Sequence, residues 1–173
     1  MERRKYDSFY KEGQRLAEEF ANANLENVVW ATRDQDKFEH WDMKGNLVGD
    51  TRSFKFDVKG LKKFNRRDPD YQDKMMLVEY QNITGGPGWV KGQSDWIPQK
   101  RLIYPWMVVR REPLWNYLES KLEERNYAPT TRQWFEPKEP YAVYDRKFFG
   151  NDDRFVWVPY EDIEKLEHIK LET

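Results

Sequence analysis

An acidic residue and a lysine two positions apart form the stretch of this sequence best suited to chemistry. In Phe54–Lys59 the apolar residues alternate with Lys55, Asp57 and Lys59. This period of two predicts a β-strand that places Asp57 and Lys59 on one face, away from the core. A further acid, Asp42, lies 15 positions before Asp57, on the predicted preceding strand. Two carboxylates can bind a divalent metal and, with a lysine, activate a water molecule, which is chemistry that hydrolyses phosphodiesters.

The alternative for the Asp-x-Lys triplet is a chance match on a solvated strand face. An exposed ion pair of this kind contributes less than about 1 kcal/mol. The residues before the triplet favour a catalytic site over a chance match. We predict a strand over residues 38 to 43, and this strand places Asp42 on a polar face. Lys44–Asn46 indicates a turn, and an antiparallel hairpin would then bring Asp42 toward Asp57.

The next predicted strand, residues 75 to 82, carries a second polar pair. Glu79 and Gln81 alternate with apolar residues and therefore share a face. If this strand neighbours the one before it, one face collects five polar residues: Asp42, Asp57, Lys59, Glu79 and Gln81. Such a cluster is less expected by chance than a single triplet.

A basic stretch follows the triplet. Five of the nine residues from 59 to 67 are basic and none is acidic, with Phe64 among them. This composition suits contact with a phosphate backbone, and the alternative is a solvated loop or helix edge. The glycine-rich loop over residues 83 to 97 contains Trp89, which would either stack on a base or pack in the core, packing being the more frequent outcome.

The other predicted elements are local. In the first half of the chain we predict a helix over residues 8 to 23, capped by Asp7 or Ser8, and a strand at 28 to 31. Further along we predict strand segments at 102 to 109, broken at Pro105, and a helix from Pro113 to about 125. A hairpin of 141 to 144 with 155 to 158 and a short helix over 159 to 166 end the chain. We expect a single domain over 1–173, with a core of about 9–125 and a C-terminal extension of about 126–173.

Composition excludes several classes of site. The chain of 173 residues has a net charge of −1, 35% charged residues and no cysteine, so disulfides, thiolate zinc sites and cysteine nucleophiles are ruled out. Its two histidines, His40 and His168, lie far apart in sequence. Eight Trp, ten Tyr and ten Phe argue for a folded chain. The sequence lacks an apolar run of membrane-spanning length and a signal-peptide core, so we expect a soluble cytoplasmic protein without membrane contact.

The order of the candidate residues resembles that of the PD-(D/E)xK nuclease superfamily, which includes restriction endonucleases and archaeal Holliday-junction resolvases. In this order a helix is followed by Asp42, then by the triplet Asp57-Val58-Lys59, and then by Glu79 and Gln81. The sequence departs from the named motif at Trp41, where that motif has proline. The resemblance covers about residues 9 to 112. It implies an α/β (α+β) restriction-endonuclease-like fold with a mixed central sheet of about four to five strands flanked by helices, then a C-terminal β-hairpin and a short helix.

The resemblance also implies roles for particular residues. Asp42, Asp57 and the backbone carbonyl of Val58 would ligate Mg²⁺, with Mn²⁺ as a substitute, and Lys59 would activate or orient the attacking water. Glu79 or Gln81 would position that water or a second metal. A glutamate of the first helix would join the site, and we choose Glu18 over Glu12 and Glu19.

The implied activity is that of a Mg²⁺-dependent deoxyribonuclease, either an endonuclease or an exonuclease, and a homodimer would supply the two sites that cutting two strands needs. The residues expected to contact DNA are Lys62, Lys63, Arg66, Arg67, Trp89, Arg110 and Arg111. Two alternatives stay open. One is a non-catalytic nucleic-acid-binding module on the same fold, and the other is an aromatic-rich protein-interaction domain.

Overall fold

The computed structural model describes residues 2–65, 67–131, 136–146 and 150–171, with the side chains of the first helix described from residue 10 onward. The elements in chain order are α1 (Glu2–Asn24), β1 (Leu25–Trp30), a π-helical turn (Gln35–Glu39), β2 (Met43–Leu47), β3 (Ser53–Phe56), β4 (Met75–Gln81), a 3₁₀ turn (Trp89–Lys91), β5 (Trp96–Lys100), β6 (Trp106–Arg110), α2 (Arg111–Glu124), β7 (Tyr144–Asp145), β8 (Arg154–Pro159), α3 (Tyr160–Ile163) and β9 (His168–Leu171).

The fold is mixed α+β and contains two sheets. The larger sheet has six strands in the order β1-β2-β3-β5-β6-β9, and the smaller has three in the order β4-β8-β7. Only the β3–β5 pair is parallel among these described strands. The prediction of a mixed sheet is confirmed, although the sheet has more strands than expected and a second sheet accompanies it.

Strand β6 shows how the six-stranded sheet separates two cores. Trp106 and Val108 belong to the core under α1, whereas Met107 and Val109 belong to the core shared with α2 and the small sheet. This alternation follows from the period of two along a strand. Both faces of the large sheet are therefore covered.

Helix α1 packs on the sheet through an aromatic cluster. The buried ring of Phe20 contacts Phe56 of β3, with centroids 5.6 Å apart, and Trp106 of β6, with centroids 5.2 Å apart. Ala17 and Ala21 are buried on the same helix face. This face holds α1 over the ends of β2 and β3, where the acidic residues lie.

Helix α2 packs on the opposite face of the large sheet. Leu114, Leu118 and Leu122 recur every four residues and are fully buried, as the sequence spacing predicted. None of the helices in the described part of the chain combines the length and apolar character needed to cross a membrane.

Two predictions near Asp42 are wrong. The expected strand over 38 to 43 is replaced by the π-helical turn Gln35–Glu39, and β2 begins only at Met43. The expected turn at Lys44–Asn46 lies inside β2, which pairs with β1. The two strands approach closely here, because a Cβ on Gly45 would lie 2.9 Å from the carbonyl oxygen of Glu26 on β1. Glycine marks a close approach of two strands here, and the turn comes later, at Gly49 with φ of 83°.

The ends of the chain also differ from prediction. Helix α1 begins at Glu2, so Asp7 and Ser8 lie inside it and cannot cap its start. Helix α3 ends at Ile163, and the chain continues into β9, which pairs with β6. The four residues of β9 carry too weak a pattern to predict a strand, and pairing with a neighbour forms it. The predicted pairing of β7 with β8 is confirmed.

Replacement of Gly45 by alanine tests the close approach of β1 and β2. We expect Gly45→Ala to lower the free energy of unfolding by about 1–3 kcal/mol, because the two strands must separate to admit the methyl group. Gly13→Ala is the control: a Cβ on Gly13 of α1 meets nothing within 4 Å, so the variant should gain up to about 1 kcal/mol from helix propensity. Urea unfolding measures both, and a neutral Gly45→Ala would contradict the strand pairing.

Candidate functional site

The β2–β3 hairpin brings the two predicted acids to one end of the sheet. Met43 of β2 is paired with Phe56 of β3, and the amide of Asp42 donates a 2.8 Å hydrogen bond to the carbonyl of Phe56. Asp42 immediately precedes β2 and Asp57 immediately follows β3. The prediction that a hairpin brings Asp42 toward Asp57 is confirmed.

Strand β5 holds the chain beyond β3 in an extended conformation. The amide of Asp57 donates to the carbonyl of Trp96 at 3.1 Å, and the amide of Lys59 donates to that of Pro98 at 2.8 Å. The Lys59 carbonyl in turn accepts from the amide of Lys100 at 2.9 Å. Lys59 is therefore fixed by backbone hydrogen bonds although β3 itself ends at Phe56.

Asp57 and Lys59 form a largely buried ion pair. Lys59 Nζ lies 2.7 Å from Asp57 Oδ1, and the side chain of Asp57 is only 5% exposed. The alternative of a solvated strand face is wrong for Asp57, because its side chain is buried together with that of Lys59 on the face of the sheet that carries Trp89. The second carboxylate oxygen, Oδ2, is buried and accepts no hydrogen bond from the described residues. A buried carboxylate oxygen without a donor destabilises a fold.

The carboxylate of Asp42 is held by the backbone of the triplet. Its Oδ2 accepts a 2.6 Å hydrogen bond from the amide of Val58. The pKa of Asp42 is raised to about 7, chiefly because burial disfavours the charged form and then because of the negative charge of Asp57. Asp42 and Asp57 thus lie close enough for their charges to repel.

Lys59 carries a positive charge at neutral pH. Burial lowers its pKa, but the carboxylates of Asp57 and Asp42 outweigh burial and raise the pKa overall. For Asp57, burial raises the pKa against the opposing effect of Lys59. A protonated lysine can donate hydrogen bonds and stabilise negative charge, and it cannot accept a proton.

Asp42, Asp57, Val58 and Lys59 line one wall of a cleft of about 380 Å³. The remaining lining comes from α1, from the end of β1 and from the residues after it: Tyr10, Gly13, Gln14, Ala17, Trp30, Ala31, Thr32, Arg33 and Asp36. The triplet is therefore accessible to a ligand from the side of α1.

Glu79 and Gln81 come from the second sheet and not from a strand next to β3. Their strand, β4, pairs with β8, so the expected polar face across three neighbouring strands is not formed. The charge of Glu79 nevertheless acts on Asp57 and Lys59, and burial raises the pKa of Glu79 itself. Gln81 donates a 2.6 Å hydrogen bond to the carbonyl of Asp152. Glu79 borders the site, and Gln81 is committed to a loop.

The helix glutamates lie outside the cleft lining. Glu18 is exposed and accepts a 3.1 Å hydrogen bond from Gln14. Glu12 pairs with Arg15, and Glu19 lies 2.5 Å from the Lys100 ammonium. The polar residue that α1 contributes to the cleft is Gln14.

Several cations expected to contact DNA are used within the protein. Lys63 Nζ donates to the carbonyls of Asp68 and Pro69 at 2.7 and 2.9 Å. Arg111 donates to the carbonyls of Ser94 and Val90 at 2.8 and 3.1 Å. These hydrogen bonds hold loops in place and leave fewer donors for a phosphate.

Of the other residues expected to contact DNA, some are packed within the protein and some are exposed. Arg110 lies over the ring of Trp96, with 4.8 Å between the guanidinium carbon and the ring centroid. Trp89 is buried, and Lys59 Nζ lies 5.0 Å from its ring centroid, so Trp89 packs beneath the candidate site. Lys62 and Arg67 are exposed. Arg66 lies outside the described residues.

A divalent cation fits the donor set at Asp42 and Asp57. No group of three or more His, Cys, Asp or Glu side chains arranged for a metal occurs within the part of the chain that the structure describes. Two carboxylates are present, and one buried oxygen, Asp57 Oδ2, has no hydrogen-bond donor among the residues described. Mg²⁺ commonly binds through one or two carboxylates and keeps several waters, so this pair is sufficient.

Sequence reasoning missed two residues of the site. Asp36 lines the cleft, and its negative charge raises the pKa of both Asp42 and Asp57. Gln99 is buried on β5 directly beside Lys59. An acid six positions before Asp42 was the available signal for Asp36. Gln99 gave no signal, because only the β3–β5 pairing places it there.

No protein-family model, curated protein or solved structure matches this chain. The relation to the PD-(D/E)xK superfamily therefore rests on the residues of the site and stays a proposal.

Removal of the Asp42 charge should stabilise the protein in a pH-dependent manner. The pKa of Asp42 is about 7 in the folded state and about 3.8 in the unfolded state. The free energy of unfolding therefore falls as the pH rises between these values, because the unfolded state ionises this group more readily. Asp42→Asn keeps an oxygen for the Val58 amide and should be more stable than the wild type by about 1–3 kcal/mol at pH 8. The difference should vanish near pH 4.

Metal-free urea unfolding at pH 4, 6 and 8 measures this effect. Asp50→Asn is the control with the opposite sign. Its hydrogen bonds with Arg52 lower the pKa of Asp50 to about 2, so its carboxylate stabilises the fold above about pH 4 and this contribution is lost at lower pH. An Asp42→Asn variant less stable than the wild type at pH 8 would show that the Asp42 carboxylate is not strained.

Proposed function

We propose that this protein is a metal-dependent nuclease of the PD-(D/E)xK type that hydrolyses phosphodiester bonds of DNA. The observation that carries the proposal is the state of Asp57. One oxygen of this buried carboxylate pairs with Lys59, and the other has no donor among the described residues although Asp42 lies next to it. A fold tolerates such an arrangement where function requires it.

The donor set favours Mg²⁺, with Mn²⁺ as a substitute. Asp42 and Asp57, the Val58 carbonyl and water molecules would hold the ion, which when bound supplies polarisation of the phosphate and a more acidic water. A bound cation would also reduce the repulsion between the two carboxylates and would attract a phosphate.

Lys59 stabilises the negative charge that develops on the phosphate during hydrolysis. Its ammonium group is protonated and is held by the ion pair with Asp57 and over the ring of Trp89, and its backbone is hydrogen-bonded to β5. A donor fixed in this way needs no reorganisation during the reaction. Because it is protonated, Lys59 orients the attacking water as a hydrogen-bond donor and does not remove its proton.

The two alternative functions receive less support from the site. A binding module gains affinity from cations available on its surface, and here Lys63 and Arg111 are bound to backbone carbonyls. A protein-interaction domain has no need of a buried carboxylate that lacks a donor. Neither alternative explains why Asp42, Asp57 and Lys59 converge at the wall of a cleft.

Isosteric changes of Asp57 and Lys59 test the proposal. Asp57→Asn and Lys59→Gln should each lower the rate of Mg²⁺-dependent cleavage at least about a hundredfold, because they remove a metal ligand and a charge-stabilising donor. DNA binding with Ca²⁺ in place of Mg²⁺ should be retained. The assay uses linear, nicked, flapped and branched DNA with Mg²⁺ or Mn²⁺.

Asp50→Asn serves as the matched control for these variants. Asp50 lies at the other end of the β2–β3 hairpin, where it pairs with Arg52, and its loss should leave cleavage unchanged. A wild-type protein that cuts none of these DNAs would contradict the proposal. Full activity of both site variants would also contradict it.

A further inference from the structure

Two exposed aromatic side chains face the cleft that contains Asp42 and Asp57. Trp30 is 46% exposed and Tyr10 is 61% exposed, and both line this cleft. Neither side chain has a hydrogen bond, an ion pair or a ring contact with the described residues. Two exposed aromatic rings that line the same cleft offer flat apolar faces on which a base can stack.

Trp30 lies next to the candidate metal ligands. It ends β1 and is paired with Met43, and the amide of the following residue, Ala31, donates a 2.8 Å hydrogen bond to the carbonyl of Asp42. Side chains of directly paired residues have Cβ atoms about 5 Å apart. Trp30 is thus one position from the residue bonded to Asp42, and Trp30, Asp42 and, from α1, Tyr10 line the same cleft.

The helix leaves room beside these rings. Gly13 lies one turn after Tyr10 in the interior of α1 and lines the cleft. Glycine in a helix interior costs about 1 kcal/mol relative to alanine, and no packing contact explains it, because a Cβ there would meet nothing within 4 Å. The absent side chain keeps the space next to Tyr10 and Trp30 open.

A cation completes the lining. Arg33 is exposed in the cleft and forms no ion pair with the residues that the structure describes. Aromatic platforms with a neighbouring cation are the features that bind a single strand of nucleic acid, whose bases stack on the rings while its phosphates meet the cation. In a duplex the bases are paired and stacked on each other, so their faces are not available.

We propose that this cleft binds an unpaired DNA strand, with bases stacked on Trp30 and Tyr10 and a phosphate at Arg33. The inference rests on the function proposed for Asp42, Asp57 and Lys59, and it adds the class of substrate. Single-stranded, flapped or frayed DNA is the substrate, and fully paired DNA is disfavoured.

Binding without cleavage tests the inference. The full chain is titrated, with Ca²⁺ in place of Mg²⁺, into a fluorescently labelled 12-nucleotide DNA of mixed sequence and into the same strand in a blunt duplex. The wild type should bind the single strand at least about tenfold more tightly. Trp30→Ala and Tyr10→Ala should each weaken single-strand binding about five- to a hundredfold, and Trp30→Phe should restore most of the affinity.

Two further variants separate stacking from general surface effects. Gly13→Leu places a side chain in the cleft from a position where a Cβ meets nothing within 4 Å, so single-strand binding should fall at least about fivefold while the thermal midpoint is kept or raised. Phe38→Ala is the matched control, because Phe38 is 68% exposed but does not line the cleft. Its affinity should equal that of the wild type.

Equal affinity for the single strand and the duplex would overturn the inference. Unchanged single-strand binding in both Trp30→Ala and Tyr10→Ala would also overturn it. The nuclease proposal is decided separately by cleavage. A protein that cuts duplex and single strand equally, with no effect of Trp30→Ala, would refute the substrate class alone. Trp30-dependent single-strand binding without any cleavage would support the cleft as a strand-binding site and refute the nuclease.

Discussion

The pairing of β2 with β3 brings two carboxylates together at a place where they repel each other. Asp42 and Asp57 do not meet through attraction between their side chains, since the negative charge of Asp57 raises the pKa of Asp42. They meet because backbone hydrogen bonds of the hairpin, including that from Asp42 to Phe56, fix the chain ends. The chemistry proposed for the site depends on this imposed proximity.

The core under α1 stabilises the fold and offsets the free energy lost by burying the acidic residues of the site. Phe20 packs on Phe56 and Trp106, so the helix covers the sheet just beside the acidic residues. On the other face of the sheet Asp57 is buried beside Lys59, and burial raises its pKa. Functional sites often contain groups that destabilise the fold locally, and the packed core of the same protein offsets this loss of stability.

The surroundings of Lys59 link three parts of the fold. Its backbone is fixed by β5, its ammonium lies over Trp89 of the loop after β4, and the charge of Glu79 reaches it from the second sheet. The opposite side of the site opens toward α1 and the end of β1. The residues of the candidate site are thus supported from one side, and the cleft opens on the other.

Local patterns in the sequence determined much of this protein. The period of two in residues 54 to 59, the period of four in α2 and the apolar face of α1 each predicted an element that the structure contains, because these patterns reflect burial on one face. The hairpin that joins Asp42 to Asp57 was also predictable. Glycine misled the prediction at Gly45, since glycine serves both turns and close strand contacts.

Only the tertiary structure decided the burial of Asp57, the neighbours of Lys59 and the walls of the cleft. Alternation along β3 indicated a face away from the core for Asp57, but that face of the sheet carries a second core that includes Trp89. Glu79 approaches from a separate sheet, and Trp30 and Tyr10 come from segments with no local pattern that connects them to the triplet. The physical reason is that sequence periodicity reports which residues face a core, whereas the pairing of distant strands and the packing of helices decide which polar groups meet.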